Sequence, residues 1–411
     1  MSLVPAPSPR VRMYHALVYA LLFEGELWPF AGLAALAFTG LARRLWRSVE
    51  RRVRPPGLRL PAYLGIVLAG LALWQAPVRL LGYAVNRAFG FATHGPALWL
   101  ADIGRDALFA LIGVPVIWLA YALVRRSPRR WWLWLWAASV PWLLATTVLY
   151  PEVVAPAYNR FRPMAPSPLR SRIDALARRA GAGRPRVLVV DSSRRTTMLN
   201  AYVTGLGPTA RIVLWDTTLR ALTTDEVVAI TAHELGHYVL RHVWLGFVAS
   251  ALGALALLAV GAAVAPTVIR TSGAAPALSH PAGLPAALLV FQALLLAQMP
   301  AASALSRLQE RQADRFALRL IGDGRSLAHA LAAFVERDYA DPVPPALVQF
   351  WFGTHPPLRD RIRSAVAYRP TAQRGSVSRS VLAVSSGSVS LMNAPAPASE
   401  PARYLSLSSV R

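Results

Sequence analysis

The stretch TAHELGHYVLRH, residues 231–242, decides how the rest of the chain is read. It follows TTDEVVAI, in which Thr223 or Thr224 caps Asp225 and Glu226 and the apolar residues recur with helical period, so the stretch is predicted to lie on a helix. His233 and His237 then project from one face, a turn apart, and can both offer an imidazole nitrogen to one zinc ion at about 2.0–2.1 Å. Glu234 can reach a water at such an ion without being a ligand, which is the position of a proton-transferring base. The competing reading is a chance match in an amphipathic helix. The coincidence with a predicted helix, which the metal chemistry requires, favours the site. With no cysteine in the chain, thiolate sites and disulfide scaffolds are excluded, and every metal ligand must be a histidine or a carboxylate.

A catalytic ion needs a third protein ligand. The helical pattern SRLQERQADRFALRLIG, residues 306–322, carries Glu310 and, four residues on, Asp314. One carboxylate would bind the ion, and the other would accept the imidazole N–H of a ligand histidine. Taken alone, both would more simply pair with Arg307, Arg311 and Arg315 on a solvated face. The upstream motif, which demands a ligand, tips the reading.

The stretch also stands directly before apolar sequence. The chain has 411 residues, 55% hydrophobic and 16% charged, with a mean hydropathy of +0.39, too apolar for a soluble protein of this size. Six apolar runs approach the length of a bilayer crossing: Tyr14–Ala42, Pro61–Val85, Ala97–Val124, Trp131–Tyr150, Val243–Pro266 and Leu284–Leu305. No cleavable signal peptide is evident in MSLVPAPSPR. The net charge of +24 comes from arginine clusters between these runs, which reads as topogenic loop charge rather than nucleic-acid binding. Within the first run, Glu24 and Glu26 mark either a polar cavity or a helix break beside Gly25 and Pro29. Asp102, Arg105 and Asp106 fall at one-turn spacing and are expected to pair with one another.

Between the fourth and fifth runs lies a segment of soluble character, about residues 151–242. SPLRSRIDALARRAGA has Leu169, Ile173, Leu176 and Ala180 at helical spacing, with Gly181 as a stop. RVLVVDSS reads as a strand, and NAYVTGLGPTARIVLWDTTL as a hairpin turning at Gly207 and Pro208. From about Thr371 the composition shifts to Ser, Ala, Val and Pro, which predicts a disordered tail.

Taken together, HELGH, ERQAD, NAYVTGLG with RIVLWDT, and THPPLRDRI resemble the integral-membrane zinc metallopeptidases of the type I CAAX prenyl protease group. FGFATHGPALWLAD and WWLWLWAASVPWLLATTVLYPEVVAPAYNRFRPM extend the likeness to the N-terminal half, so that it spans about residues 14–366. The HtpX membrane proteases resemble the catalytic core alone. The resemblance implies that His233, His237 and Glu310 bind zinc and that Glu234 is general base and acid. It further implies that Asp314 supports a ligand histidine, that His355 and Arg361 act near the oxyanion, and that Asn200 opens a substrate-binding edge strand. In this family the membrane helices enclose a chamber, and the metal faces it from the cytosolic side. Eukaryotic members have five spans before the catalytic helix, whereas four are counted here, and the arginine-rich loops at residues 43–59 and 125–130 oppose a cytoplasmic site by the positive-inside rule.

The expected fold is mainly α, a polytopic α-helical membrane protein with about six spans plus a zincin-like catalytic domain containing a small β-sheet. Its expected divisions are a tail (1–12), an N-terminal membrane domain (13–150), a catalytic part with the HExxH helix (151–242), a membrane pair (243–305), a second catalytic part (306–368) and a disordered tail (369–411). The expected function is zinc-dependent endopeptidase action on membrane-associated or lipidated proteins in a bacterial plasma membrane, by a monomer with its site toward the cytoplasm and no nucleic-acid partner. General membrane quality control, or a pseudoprotease that binds such chains, are the alternatives.

Overall fold

Pro9 supplies a preset φ at the start of the first helix, and Ser8 caps it by accepting the Val11 N–H. The structure, a computed structural model, describes residues 4, 6–111, 113–205 and 211–370. Helix α1, Pro9–Phe38, runs unbroken past Glu24, Gly25 and Pro29, so there is no break at the glutamates. It ends instead near Gly40, whose φ of 74° turns the chain into α2, Leu41–Arg52. That helix buries Ala42, Trp46 and Val49 and exposes Arg43, Arg44, Arg47, Arg51 and Arg52. The first apolar run is therefore one span followed by a separate amphipathic helix.

Apolar helices follow: α3 (Pro56–Ala88), α4 (Pro96–Ala110), α5 (Gly113–Arg126) and α6 (Trp131–Leu149). Beyond α6 the chain enters a π-helical turn at Tyr150–Val154 and then α7, Ala155–Tyr158. The two segments meet at 43°, where Pro151 cannot donate to the helical ladder. Leaving the membrane, the chain forms β1 (Phe161–Pro163), α8 (Pro168–Arg179), β2 (Arg186–Val190), β3 (Ala201–Thr204), β4 (Arg211–Trp215) and α9 (Asp216–Ala221). Helix α10, Thr224–Val239, carries the HExxH stretch. Then come α11 (His242–Thr271), α12 (Leu284–Ile321), α13 (Gly324–Arg337), α14 (Ala346–Trp351) and α15 (Leu358–Ala367). The expected turn at Gly207–Pro208 and the expected tail lie outside the described residues.

The mixed sheet has the order β1-β2-β4-β3. Strands β2 and β4 are parallel, and β1 and β3 flank them antiparallel, which leaves one side of β3 without a strand partner among the described residues. One face of the sheet packs with α8, α10, α13 and α15 around Ile173, Ile212, Leu214, Leu235 and Leu327, all essentially inaccessible to solvent. Each such side chain contributes about 1.5–3 kcal/mol when buried, so this core fixes α10 on the sheet.

Five helical stretches among the described residues are long and apolar enough to cross a bilayer, and the bent α6–α7 segment brings the number to six when it is counted as one span. Leu73, Leu100, Leu108 and Leu252 are more than half exposed on these helices, as lipid-facing side chains are. At one end of the bundle, Tyr14 packs on Phe89, Phe91 and Tyr339, joining α1 to the catalytic domain. At the other end, Trp46 packs on Tyr63 and His280, and Tyr121 donates to the Pro281 carbonyl. The arginines of α2 therefore lie at the end remote from the sheet. Arg105 pairs with Asp102 as expected, but Asp102 also binds Arg195 of the catalytic domain, and Asp106 accepts from Tyr158 and faces Arg79.

Candidate active site

Helix α10 begins with a complete capping box: Thr223 accepts the Glu226 N–H, and the Glu226 carboxylate accepts the Thr223 N–H. Further along the helix, His233 is buried and His237 half-buried. Helix α12 crosses α10 at Gly236, where an added Cβ would lie 3.1 Å from Ala313 Cα. This closeness lets Glu310, one turn before Ala313, reach both histidines.

His233 Nε2 lies 3.2 Å from His237 Nε2, and each stands 3.3 Å from a Glu310 carboxylate oxygen. Three ligands of a tetrahedral ion at about 2.0–2.1 Å are separated by about 3.3–3.4 Å, so the donor set fits one metal ion. Among the described residues, the buried Glu310 Oε2 has no well-formed hydrogen bond, only contacts at 3.3 Å to His233 Nε2 and 3.4 Å to Arg361, so its lone pairs remain open to a metal ion. Both carboxylates of the ERQAD segment are buried, so the solvated-face reading does not apply. Arg307 instead donates to the Gln349 and Gly353 carbonyls.

Around this set, His233 Nδ1 lies 2.9 Å from Asp314 Oδ1. Arg361, on α15, grips both Asp314 oxygens at 2.8 Å and stands 3.4 Å from Glu310 Oε2. Glu234, Glu310 and Asp314 thus face a single guanidinium, and a divalent ion would bring the cluster to neutrality. Burial alone would depress His233, but Glu310 and Asp314 carry it up to about 10, so the pocket draws positive charge. Burial holds the Glu234 carboxyl above its ordinary range, against the pull of the two histidines. For His355 burial acts in the opposite sense and favours the neutral ring. Its Nε2 lies 3.3 Å from Glu310 Oε1, and Gln349 donates to its carbonyl.

Asn200 stands exposed at the start of β3, its backbone bonded to Thr218 Oγ1 through both N–H and carbonyl. The structure therefore gathers His233, His237, Glu310, Asp314, His355 and Arg361 around one point and places Asn200 on the open sheet edge. Sequence reasoning missed two neighbours. His242 contacts His237 through their Nδ1 atoms at 3.0 Å, and Asp338, fully buried, accepts the Leu199 N–H just before Asn200. His242 was visible as the last residue of the deciding stretch, but no helical spacing links it to His237. Nothing local marks Asp338.

Residues 165–369 match the sequence model of peptidase family M48, and residues 21–160 match that of the CAAX prenyl protease N-terminal region, described as five membrane helices. Among the described residues, that region supplies three apolar spans, the bent α6–α7 segment and the amphipathic α2. The chain is 32% identical over 340 residues to the uncharacterized metalloprotease YhfN of Bacillus subtilis, covering 80% of this chain and 78% of that protein. It is 29% identical over 313 residues to the CAAX prenyl protease 1 homolog of Arabidopsis thaliana, covering 72% of each. The fold is similar to the crystal structure of S. mikatae Ste24p, with a TM-score of 0.77 at 22% identity, over 87% of this chain and 88% of that one. Five to six apolar helical stretches among the described residues, joined to a His-His-Glu cluster, define a multi-pass membrane metalloprotease. The chain belongs to peptidase family M48.

Proposed function

We propose that this chain is a zinc-dependent endopeptidase that cuts membrane-associated or lipid-modified proteins close to the bilayer. The observation that carries the reading is the convergence of His233, His237 and Glu310 within 4.8 Å of one another, with Glu234 on the same helix. When bound, zinc would supply Lewis acidity at the scissile carbonyl. Asp314 accepts the Nδ1–H of His233 and so leaves Nε2 free to bind. Glu234 takes a proton from the attacking water on a carboxylate oxygen and returns it to the leaving nitrogen, a task suited to its raised pKa. His355 Nε2–H donates to the developing oxyanion, while Arg361 adds positive potential there and keeps Asp314 ionised. An extended substrate adds to the open edge of β3 at Asn200.

The enzyme is proposed to act as a monomer in a bacterial plasma membrane, its helices enclosing a chamber and its catalytic parts, 151–242 and 306–368, facing the cytoplasm. The arginines of α2 and of residues 125–130 lie at the remote end and favour the reverse orientation by the positive-inside rule. Because the chain lacks cysteine, labelling Arg129→Cys in intact cells with an impermeant thiol reagent decides the matter. Labelling supports the cytoplasmic site, and protection reverses it.

The activity test is cleavage, by the purified protein in detergent, of one peptide with and without a farnesyl group. Glu234→Gln should retain metal and lose at least about 10²–10⁴-fold in rate. Unchanged cleavage by that variant would sink the proposal. Cutting of the lipidated peptide alone assigns a prenyl-dependent role, and equal cutting assigns broad membrane quality control.

A further inference from the structure

Residues five apart on an unbroken helix point about 140° away from each other, so His242 should not meet His237. It does because Arg241, a non-glycine residue, takes the left-handed backbone at φ 56°, ψ 35°, ending α10 and starting α11. That conformation is sparsely populated, and its occurrence beside a ligand histidine calls for a reason. The break swings the buried His242 back so that its Nδ1 lies 3.0 Å from His237 Nδ1, the two rings meeting edge-on at 77°. On the far side of the ring, His242 Nε2 lies 2.9 Å from Gln312 Oε1, on α12 two residues beyond Glu310.

The positions of the protons follow from the partners. Gln312 Oε1 can only accept, so His242 carries its proton on Nε2. A neutral ring then has a bare Nδ1, which must accept, so His237 is protonated on Nδ1 and presents an unprotonated Nε2 toward Glu310 and His233. The two ligand histidines are thereby oriented by different means, His233 by the Asp314 carboxylate and His237 by an uncharged imidazole–amide relay. A second carboxylate behind His237 would leave the cluster with an uncompensated negative charge, whereas the relay adds none.

We infer that His242 is a positioning residue, which with Gln312 fixes the tautomer and orientation of His237 for metal binding, and that the left-handed break at Arg241 exists to deliver it. This rests on the assignment of His237 as a metal ligand. The test uses the full chain in detergent, with zinc affinity measured by chelator competition and the visible spectrum of the cobalt-substituted protein as a second readout. Outer-shell partners of ligand histidines typically change affinity by about 10–100-fold, and His242→Phe and His242→Gln should fall in that range and shift the cobalt spectrum. His242→Asn, whose side-chain oxygen can occupy the place of Nδ1, should recover most of the affinity and the wild-type spectrum. Gln312→Met should weaken binding in the same direction without touching α10. Wild-type affinity and spectrum in His242→Phe, or equal impairment of the Asn and Gln variants, would overturn the inference. His237→Ala should lose metal outright. If it binds as wild type, the ligand assignment fails independently of the relay.

Discussion

Replacing Gly236 by alanine tests whether the spacing of two helices sets the metal site. The added Cβ would stand 3.1 Å from Ala313 Cα, 3.2 Å from Phe316 Cδ1 and 3.3 Å from the Ala313 carbonyl oxygen. Carbon–carbon contact is comfortable at about 3.5–4.0 Å, so α10 and α12 must part by about half an ångström. The same movement separates His237 from Glu310, now 3.3 Å apart, whereas metal sites tolerate about 0.2 Å in their ligand distances. Within α10 itself alanine is the better helix former by about 1 kcal/mol, so the helix is not weakened. Gly236→Ala is therefore expected to unfold within about 3 °C of the wild type, to bind metal about 10-fold more weakly, and to lose about 10–100-fold in kcat/KM. Valine at the same position should lose more. Chelator competition, thermal unfolding and peptide cleavage on one preparation give all three numbers. Wild-type affinity together with wild-type kcat/KM would refute the claim that Gly236 sets the distance between the ligands.

Other perturbations separate structural from chemical roles. Gly324→Ala would drive a Cβ into the Ala365 carbonyl oxygen where α13 meets α15, and should destabilise by about 1–3 kcal/mol, read as a lowered Tm. Burial pushes the Asp338 carboxyl from 3.8 up to about 8. Between those values the folded chain holds a proton that the unfolded chain releases, so this group's contribution to stability falls as pH rises through that window and levels off above it. The amide introduced by Asp338→Asn does not titrate, so the Tm of that variant minus that of wild type should rise from about pH 4 to about pH 8, and a flat difference refutes the burial argument. Chelation removes the ion that would link His233, His237 and Glu310 and should lower Tm, with recovery on adding back zinc in proportion to the logarithm of its free concentration.

Features written in local chemistry were legible in the sequence. The Thr223–Glu226 capping box and the two strands around residues 201–215 appear where their residues predict them, and the histidine spacing required a shared face. Long-range partners were not legible. Asp102 and Arg105 were predicted to satisfy each other, yet Arg195, far along the chain, also takes Asp102. Strand β1, only Phe161–Pro163, owes its existence to pairing with β2 rather than to its own propensity. The end of α1 was misplaced because apolarity continues through Leu41 and Ala42, while the left-handed Gly40 turns the axis. In the site, Glu310 needed the upstream motif to be recognised, and His242 needed a backbone break that no propensity announces.

Helix α12 is one uninterrupted rod from Leu284 to Ile321. Leu305 closes its apolar run, and Glu310 lies five residues on, an axial rise of about 8 Å. An extended peptide covers that distance in two to three residues at about 3.3 Å each. For a centre held by Glu310, the helix is a ruler with one end anchored in lipid. Under the proposed function, a substrate anchored in the bilayer is cut at a set distance from its anchor, so inserting residues between that anchor and the scissile bond should move the cut rather than merely slow it.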